Sequence, residues 1–125
     1  MELKEQKHTA TLSYYLGTWA NSNEKARLID SFTFFETDGE LRMTIKNSET
    51  GFYKNDWGTG LVKPHSYGPD THDIVAFQAH FSREDIDAFL AINENKGLLI
   101  IAGYITFKND EDRSDCFVRE FFRKQ

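Results

Sequence analysis

Disulfides are excluded at once: the chain has a single cysteine, Cys116, so no bridge can form within it and nothing covalent staples the fold. Prolines are nearly as scarce, and both, Pro64 and Pro69, fall in one stretch. The remaining sequence is free to run as uninterrupted strands or helices. No apolar run approaches the ~18 residues of a membrane span. The opening residues Met1 to His8 carry charges where a signal peptide needs an apolar run, so a cytoplasmic address is expected.

Positive charge is in deficit. Fifteen Lys and Arg against twenty Asp and Glu leave a net charge of −5. The one basic cluster, Arg119, Arg123 and Lys124, is interrupted by Glu120. Nucleic-acid binding draws its affinity from phosphate neutralisation, so no nucleic-acid partner is expected. There is no Gly-rich phosphate loop and no Gly-x-Ser-x-Gly elbow. His65, His72 and His80 are spaced by seven and eight residues, which is not a ligand spacing, so neither metal nor cofactor is predicted. Asp115 beside Cys116 would raise the thiol pKa, which argues against a catalytic cysteine.

What the chain does have is aromatic rings: 14% of its 125 residues, eleven of them Phe. One domain of this length buries roughly two thirds of its unfolded surface. The rings must fill its interior or line a pocket.

The patterning is that of strands. Residues 1–12 read as a flexible polar lead-in, tightening into a short helix near Leu12 to Leu16, and residues 13–125 as one domain. Trp19 to Asn21 begins a first strand, and Arg27 to Glu36 makes a second. Asp38-Gly39 is a type I′ hairpin signal, because both central residues of that turn need positive φ. Leu41, Met43 and Ile45 then alternate with Arg42, Thr44 and Lys46, naming a core face. Asp56 to Lys63 reads as the fourth strand, with Gly58 and Gly60 allowing a bend. Pro64 to Asp73 is the longest loop, and Ile74 to Phe81 is the fifth strand. Ser82 to Asn95 is ambiguous: Ser82 and Asp85 match a capping box, while Ile86, Ala88, Leu90 and Ile92 alternate. The turn formers from Asn93 to Gly97 favour a strand there. Leu98 to Phe107 and Ser114 to Lys124 complete eight strands without αβ alternation, hence an all-β, antiparallel up-and-down barrel.

Gly17-x-Trp19 on the first strand, the Asp38-Gly39 hairpin, Asp56-Trp57-Gly58 and Arg119-x-Phe121 with Arg123 on the last strand resemble the calycin superfamily. The chain is similar to short bacterial lipocalin-like domains of unassigned function. The resemblance implies that Trp19 and Gly17 form a structural lock, with Trp19 beneath an arginine of the last strand such as Arg123. It also implies a small, mostly apolar ligand, with or without an anionic group. Phe121 stands where fatty-acid-binding proteins place the Tyr of an Arg-x-Tyr carboxylate grip. The short Asn21 to Arg27 connection leaves no room for their helix pair.

The expected function is non-covalent ligand binding in a barrel cavity, with Arg119, Tyr104, His80, Gln78, Trp57 and Tyr67 as candidate contacts and no catalytic residue assigned. Alternation leaves open whether the Phe117, Arg119, Phe121 and Arg123 face points in or out. The site is expected at the end opposite Trp19, around Pro64 to Asp73 and the neighbours of Asp38-Gly39. Two alternatives stand beside it. One is a ring-filled barrel acting as a homodimer or partner module. The other is a small isomerase or cyclase using Asp56, His80 or Tyr104.

Overall fold

The computed structural model describes residues 12–125. Eight strands follow one another: β1 (Gly17–Asn21), β2 (Ile29–Thr37), β3 (Glu40–Asn47), β4 (Thr59–Ser66), β5 (Ile74–Ser82), β6 (Ile86–Asn95), β7 (Leu98–Phe107) and β8 (Cys116–Lys124). Each pairs antiparallel with the next, and β1 pairs with β8, so the meander closes into the expected barrel. A helical turn over 12–15 precedes β1. The expected lead-in lies outside the described residues except for Leu12.

Local chemistry sets the hairpins. Asp38 (φ 54°) and Gly39 (φ 77°) both occupy the left-handed region, and Thr37 pairs with Glu40 across them. Lys96 (φ 53°) and Gly97 (φ 84°) repeat the device between Asn95 and Leu98. These are the paired positive-φ positions that a type I′ turn requires. The ambiguous segment is a strand from Ile86, with Ile86, Ala88, Leu90 and Ile92 buried. The fourth strand is shifted: it begins at Thr59 and takes in Pro64, which pairs with Phe77. β3 accompanies β4 only as far as Leu61. Beyond that point none of the described strands pairs with that edge of β4, and an unpaired edge is where a strand tolerates proline.

Rings fill the interior in two groups. Near the helical turn, Tyr15, Trp19, Phe32, Phe34, Phe77 and Phe122 are buried, and Phe32 meets Phe122 and Phe34 edge-on at 4.9 and 5.0 Å. Trp19 Nε1 donates to the Tyr15 carbonyl at 2.9 Å, and Tyr15 Oη to that of Ile74 at 3.0 Å. At the other end the β3–β4 segment folds inward. Its Trp57 and Tyr53 are buried, and Trp57 lies edge-on against Phe81 at 5.3 Å. Phe81 needs Gly60 opposite: a Cβ there would stand 2.4 Å from its Cζ.

Among the described residues one charged side chain enters this interior. β8 turns Val118, Glu120 and Phe122 inward, and Glu120 is buried. Its Oε2 accepts from the amides of Arg27 (3.0 Å) and Leu28 (3.3 Å), and its Oε1 from Ile29 (3.0 Å). The carboxylate thus stands in for a partner strand where β2 begins.

Candidate ligand site on the barrel wall

The inward face of β8 decides where the nominated residues go. Because Val118, Glu120 and Phe122 face inward, Phe117, Arg119 and Arg123 face outward. Arg119 lies over the Phe121 ring at 4.9 Å on the outer wall. Tyr104 is also outside, 63% exposed, and Tyr67 is 85% exposed in the β4–β5 loop. His80 and Gln78 point outward from β5: His80 Nε2 meets Asp87 Oδ1 at 2.8 Å, and Gln78 Oε1 meets His65 Nε2 at 2.9 Å. Trp57 is fully buried, with Nε1 donating to Asn47 Oδ1. The six candidates are therefore not brought together around one interior cavity.

The lock needs one correction. Lys124, not Arg123, stands opposite Trp19 in the β1–β8 register. Lys124 Nζ lies 5.9 Å from the Trp19 ring and 5.0 Å from that of Tyr14, and it donates to the Tyr14 carbonyl. Arg123 pairs with Ala20 and is exposed. Gly17, at φ 115°, adopts a backbone conformation that favours glycine.

The expected location also moves. In an up-and-down meander, alternate connections lie at the same end. Gly17 pairs with Phe34, which puts the Asp38-Gly39 turn beside the helical turn, and Tyr15 bonds to Ile74 at the end of the β4–β5 loop. Both loops thus share the end that Trp19 closes.

A hollow lined by aromatic and cationic residues lies on the wall. A cavity of about 680 Å³ runs along β8 from Cys116 to Phe121, faced by Asn21 to Asn23, Arg27 and Phe52. Its far wall is built by the chain itself: Phe52 N–H donates to the Arg27 carbonyl at 3.0 Å. Gly51 permits this approach, since a Cβ there would lie 2.6 Å from that oxygen. Arg113 fixes the same wall by donating to the Phe52 carbonyl at 2.7 Å and covering Phe107 at 4.3 Å. The lining thus sets three Phe rings against two guanidinium groups, Arg27 and Arg119. Cys116 completes the floor, and burial pushes its thiol pKa up despite Arg27 and Arg113 nearby. A protonated thiol is a poor nucleophile.

Of the six residues nominated from the sequence for a barrel-mouth site, Arg119 alone lines this hollow, and Arg27, Phe52 and Glu120 were not nominated. Glu120 was legible as the polar member of an otherwise apolar period-two face. Arg27 and Phe52 meet only through the packing of two loops.

Two further hollows carry mixed charge. One, of about 510 Å³, sets Gln78, His80 and Lys63 against Glu36 and Glu40. The other, of about 670 Å³, lies by Arg83, Asp85 and Lys108. There Asp85 accepts from Tyr53 Oη at 2.8 Å and from Asn55 at 2.6 Å. The Asn55 bond is the main cause holding the Asp85 carboxyl below its usual range. Burial first, then the Asp85 bond, pushes the Tyr53 hydroxyl up to about 12. Asp56 of the same segment caps the Gly58 amide at 2.9 Å. Asp56, His80 and Tyr104 do not converge.

Among the described residues no group of three His, Cys, Asp or Glu side chains is placed to hold a metal ion, and no helix is long and apolar enough to cross a membrane. No family model, curated protein or solved structure matches the chain.

Proposed function

We propose that this barrel binds a small, mostly apolar anion non-covalently, and that the site is the wall cavity beside β8 rather than the barrel axis. The observation that carries this reading is the pairing of Arg27 and Arg119 with Phe52, Phe117 and Phe121 around one hollow of about 680 Å³. That volume is in the range of small-molecule pockets, and a few fixed polar groups among apolar walls is their usual make-up. Charged anchors are scarce in the interior, where Glu120 is already committed to backbone amides. The eight-stranded barrel is compatible with the resemblance to lipocalin-like proteins, and a single thiol suits a reducing compartment such as the cytoplasm.

The test uses 1-anilinonaphthalene-8-sulfonate, an apolar anion whose fluorescence reports binding, with competition by fatty acids. Removing one charged anchor costs about 1.5–3 kcal/mol, so Arg27→Ala and Arg119→Ala should each weaken binding on the order of tenfold or more. Undiminished dye binding by the double variant would remove the cavity from the reading.

A second reading, a barrel that functions as a homodimer or partner module, is favoured by a separate observation. His80, Phe89, Tyr104 and Phe117 stand opposite one another across β5, β6, β7 and β8 on the outer wall. Phe89 is 48% and Phe117 52% exposed, and His80 stacks on Phe89 with centroids 4.6 Å apart. Sedimentation of wild type and Tyr104→Glu at increasing concentration tests it. A wild type that remains monomeric at high concentration excludes the dimer.

A further inference from the structure

We infer that the cavity beside β8 takes an extended acidic peptide, which adds to the free edge of that strand by backbone hydrogen bonding. The inference rests on the reading of this cavity as the binding site and names the ligand class that its floor would select.

The barrel is not closed evenly. β7 follows β8 from Cys116 to Phe122, whereas β1 pairs with β8 only at Phe122, Arg123 and Lys124. The Phe121 carbonyl accepts from the Ser22 amide at 2.8 Å and the Ser22 hydroxyl at 3.1 Å, so its backbone faces the β1 side. Backbone groups in an antiparallel strand alternate between its two neighbours. Arg119 and Phe117 therefore present their N–H and C=O groups the same way, on a side where none of the described strands runs. Among the described residues these groups have no partner on that side.

An unpaired strand edge is a template for another chain, and folded proteins usually blunt or cover it. Here it forms the floor of a trench. An added strand needs ~4.8 Å beside β8, and five residues opposite Cys116 to Glu120 occupy about 17 Å along it. Strand addition draws affinity from main-chain bonds and selectivity from alternate side chains. Residues opposite Phe117 and Arg119 would lie on the outer face, where the Arg119 guanidinium selects a carboxylate, with Arg27 across the trench. Alternate residues would meet Val118 and Phe52, which select apolar groups. Glu120, the one carboxylate in the lining, has both oxygens bound to the amides of Arg27, Leu28 and Ile29. A second copy of this chain fits less well: each barrel would have to drive its own recessed edge past the other's Asn21 to Arg27 segment. A single extended chain is thin enough to enter.

The test is fluorescence anisotropy of a labelled six-residue peptide of alternating Val and Glu, in three forms: unmodified, N-methylated at every Glu, and N-methylated at every Val. Glutamates seated opposite Arg119 and Phe117 place their amides against β8. Two or more lost hydrogen bonds predict that Glu methylation weakens binding about tenfold or more, and Val methylation by less than about threefold. Amide hydrogen exchange at Phe117 and Arg119 should slow at least about tenfold with the unmodified peptide. Arg119→Pro removes an edge donor and should mimic Glu methylation. Should that variant fail to fold, the peptide pair on wild type still decides. Equal binding of both methylated forms, or unchanged exchange, overturns the inference. Loss of dye binding in Arg27→Ala/Arg119→Ala with no peptide binding to wild type overturns strand addition and leaves the small-anion reading standing. Failure of both dye and peptide overturns both readings. A dimer whose edge amides are protected without peptide assigns the edge to a second copy and likewise overturns the inference.

Discussion

The Glu120 carboxylate holds the amide of Ile29 at 3.0 Å, joining the last strand to the first residue of the second across more than ninety residues of sequence. With the amides of Arg27 and Leu28 it satisfies three backbone donors that have no strand to pair with. Hydrogen bonds to an ionised acceptor are worth about 1.5–3 kcal/mol, and an abandoned buried donor costs about 1–3 kcal/mol. Glu120→Gln presents an NH2 group where an acceptor is required. Differential scanning calorimetry should show its Tm lowered by roughly 4–12 °C, at about 4 °C per kcal/mol for a domain of this size. An unchanged Tm would show that the carboxylate does not support these amides.

Tyr53 makes stability pH-dependent on the alkaline side. Its folded-state pKa of about 12 lies above the ordinary 10.0, so the fold binds the phenolic proton more tightly than the unfolded chain does. The stabilisation is complete below pH 10 and is lost as pH rises towards 12. Denaturant unfolding of wild type between these limits should show falling stability, and Tyr53→Phe should flatten that slope. At neutral pH the same variant should lose about 1 kcal/mol, the net value of the bond to Asp85.

The clasp on Trp19 belongs to Lys124. Lys124→Met should lower stability by about 0.5–1 kcal/mol through the lost contact with the Tyr14 and Trp19 rings. Arg123→Met, one residue away but turned outward, should fall within ~0.5 kcal/mol of wild type. Trp19→Ala should cost about 3–5 kcal/mol and, where the protein stays folded, leave dye binding in place. A reversed order of the Lys124 and Arg123 variants in urea melts would return the lock to the arginine.

Gly60 and Phe81 share one volume. Gly60→Ala sets a methyl 2.4 Å from the buried Phe81 ring and should destabilise by about 1–3 kcal/mol through overpacking. Phe81→Leu clears that space. The double variant should therefore be more stable than the sum of its single effects predicts, with a coupling of about 0.5–3 kcal/mol. Strict additivity in a double-mutant cycle would mean that the two sites do not interact.

The barrel was legible because its signals are local. Asp38-Gly39 sets its turn by backbone sterics, and the alternation of Leu41 with Met43, or Phe77 with Phe81, has one physical solution. The extra reach of β4 was not legible: Pro64 ends a strand unless one edge is free, and where β3 stops is a property of the assembled sheet. The site was harder still. Alternation shows that Phe117, Arg119 and Phe121 share a face but not which one. The answer lay in Glu120, whose inward position is tolerable only because the amides of residues 27–29 arrive there unpaired. Arg27 and Phe52 carry no sequence pattern that links them.

The uneven closure at β8 also bears on how the chain folds. Seven of the eight strand pairings join neighbours along the sequence and can form hairpin by hairpin. The eighth joins residues roughly a hundred positions apart through three register pairs, flanked by the Ser22–Phe121 and Gln125–Thr18 backbone bonds. Closing so long a loop carries an entropic cost that the short hairpins do not. Sealing of the cylinder should therefore come late in folding, and native-state amide exchange that is slower at the β1–β8 junction than in the sequential hairpins would overturn this expectation.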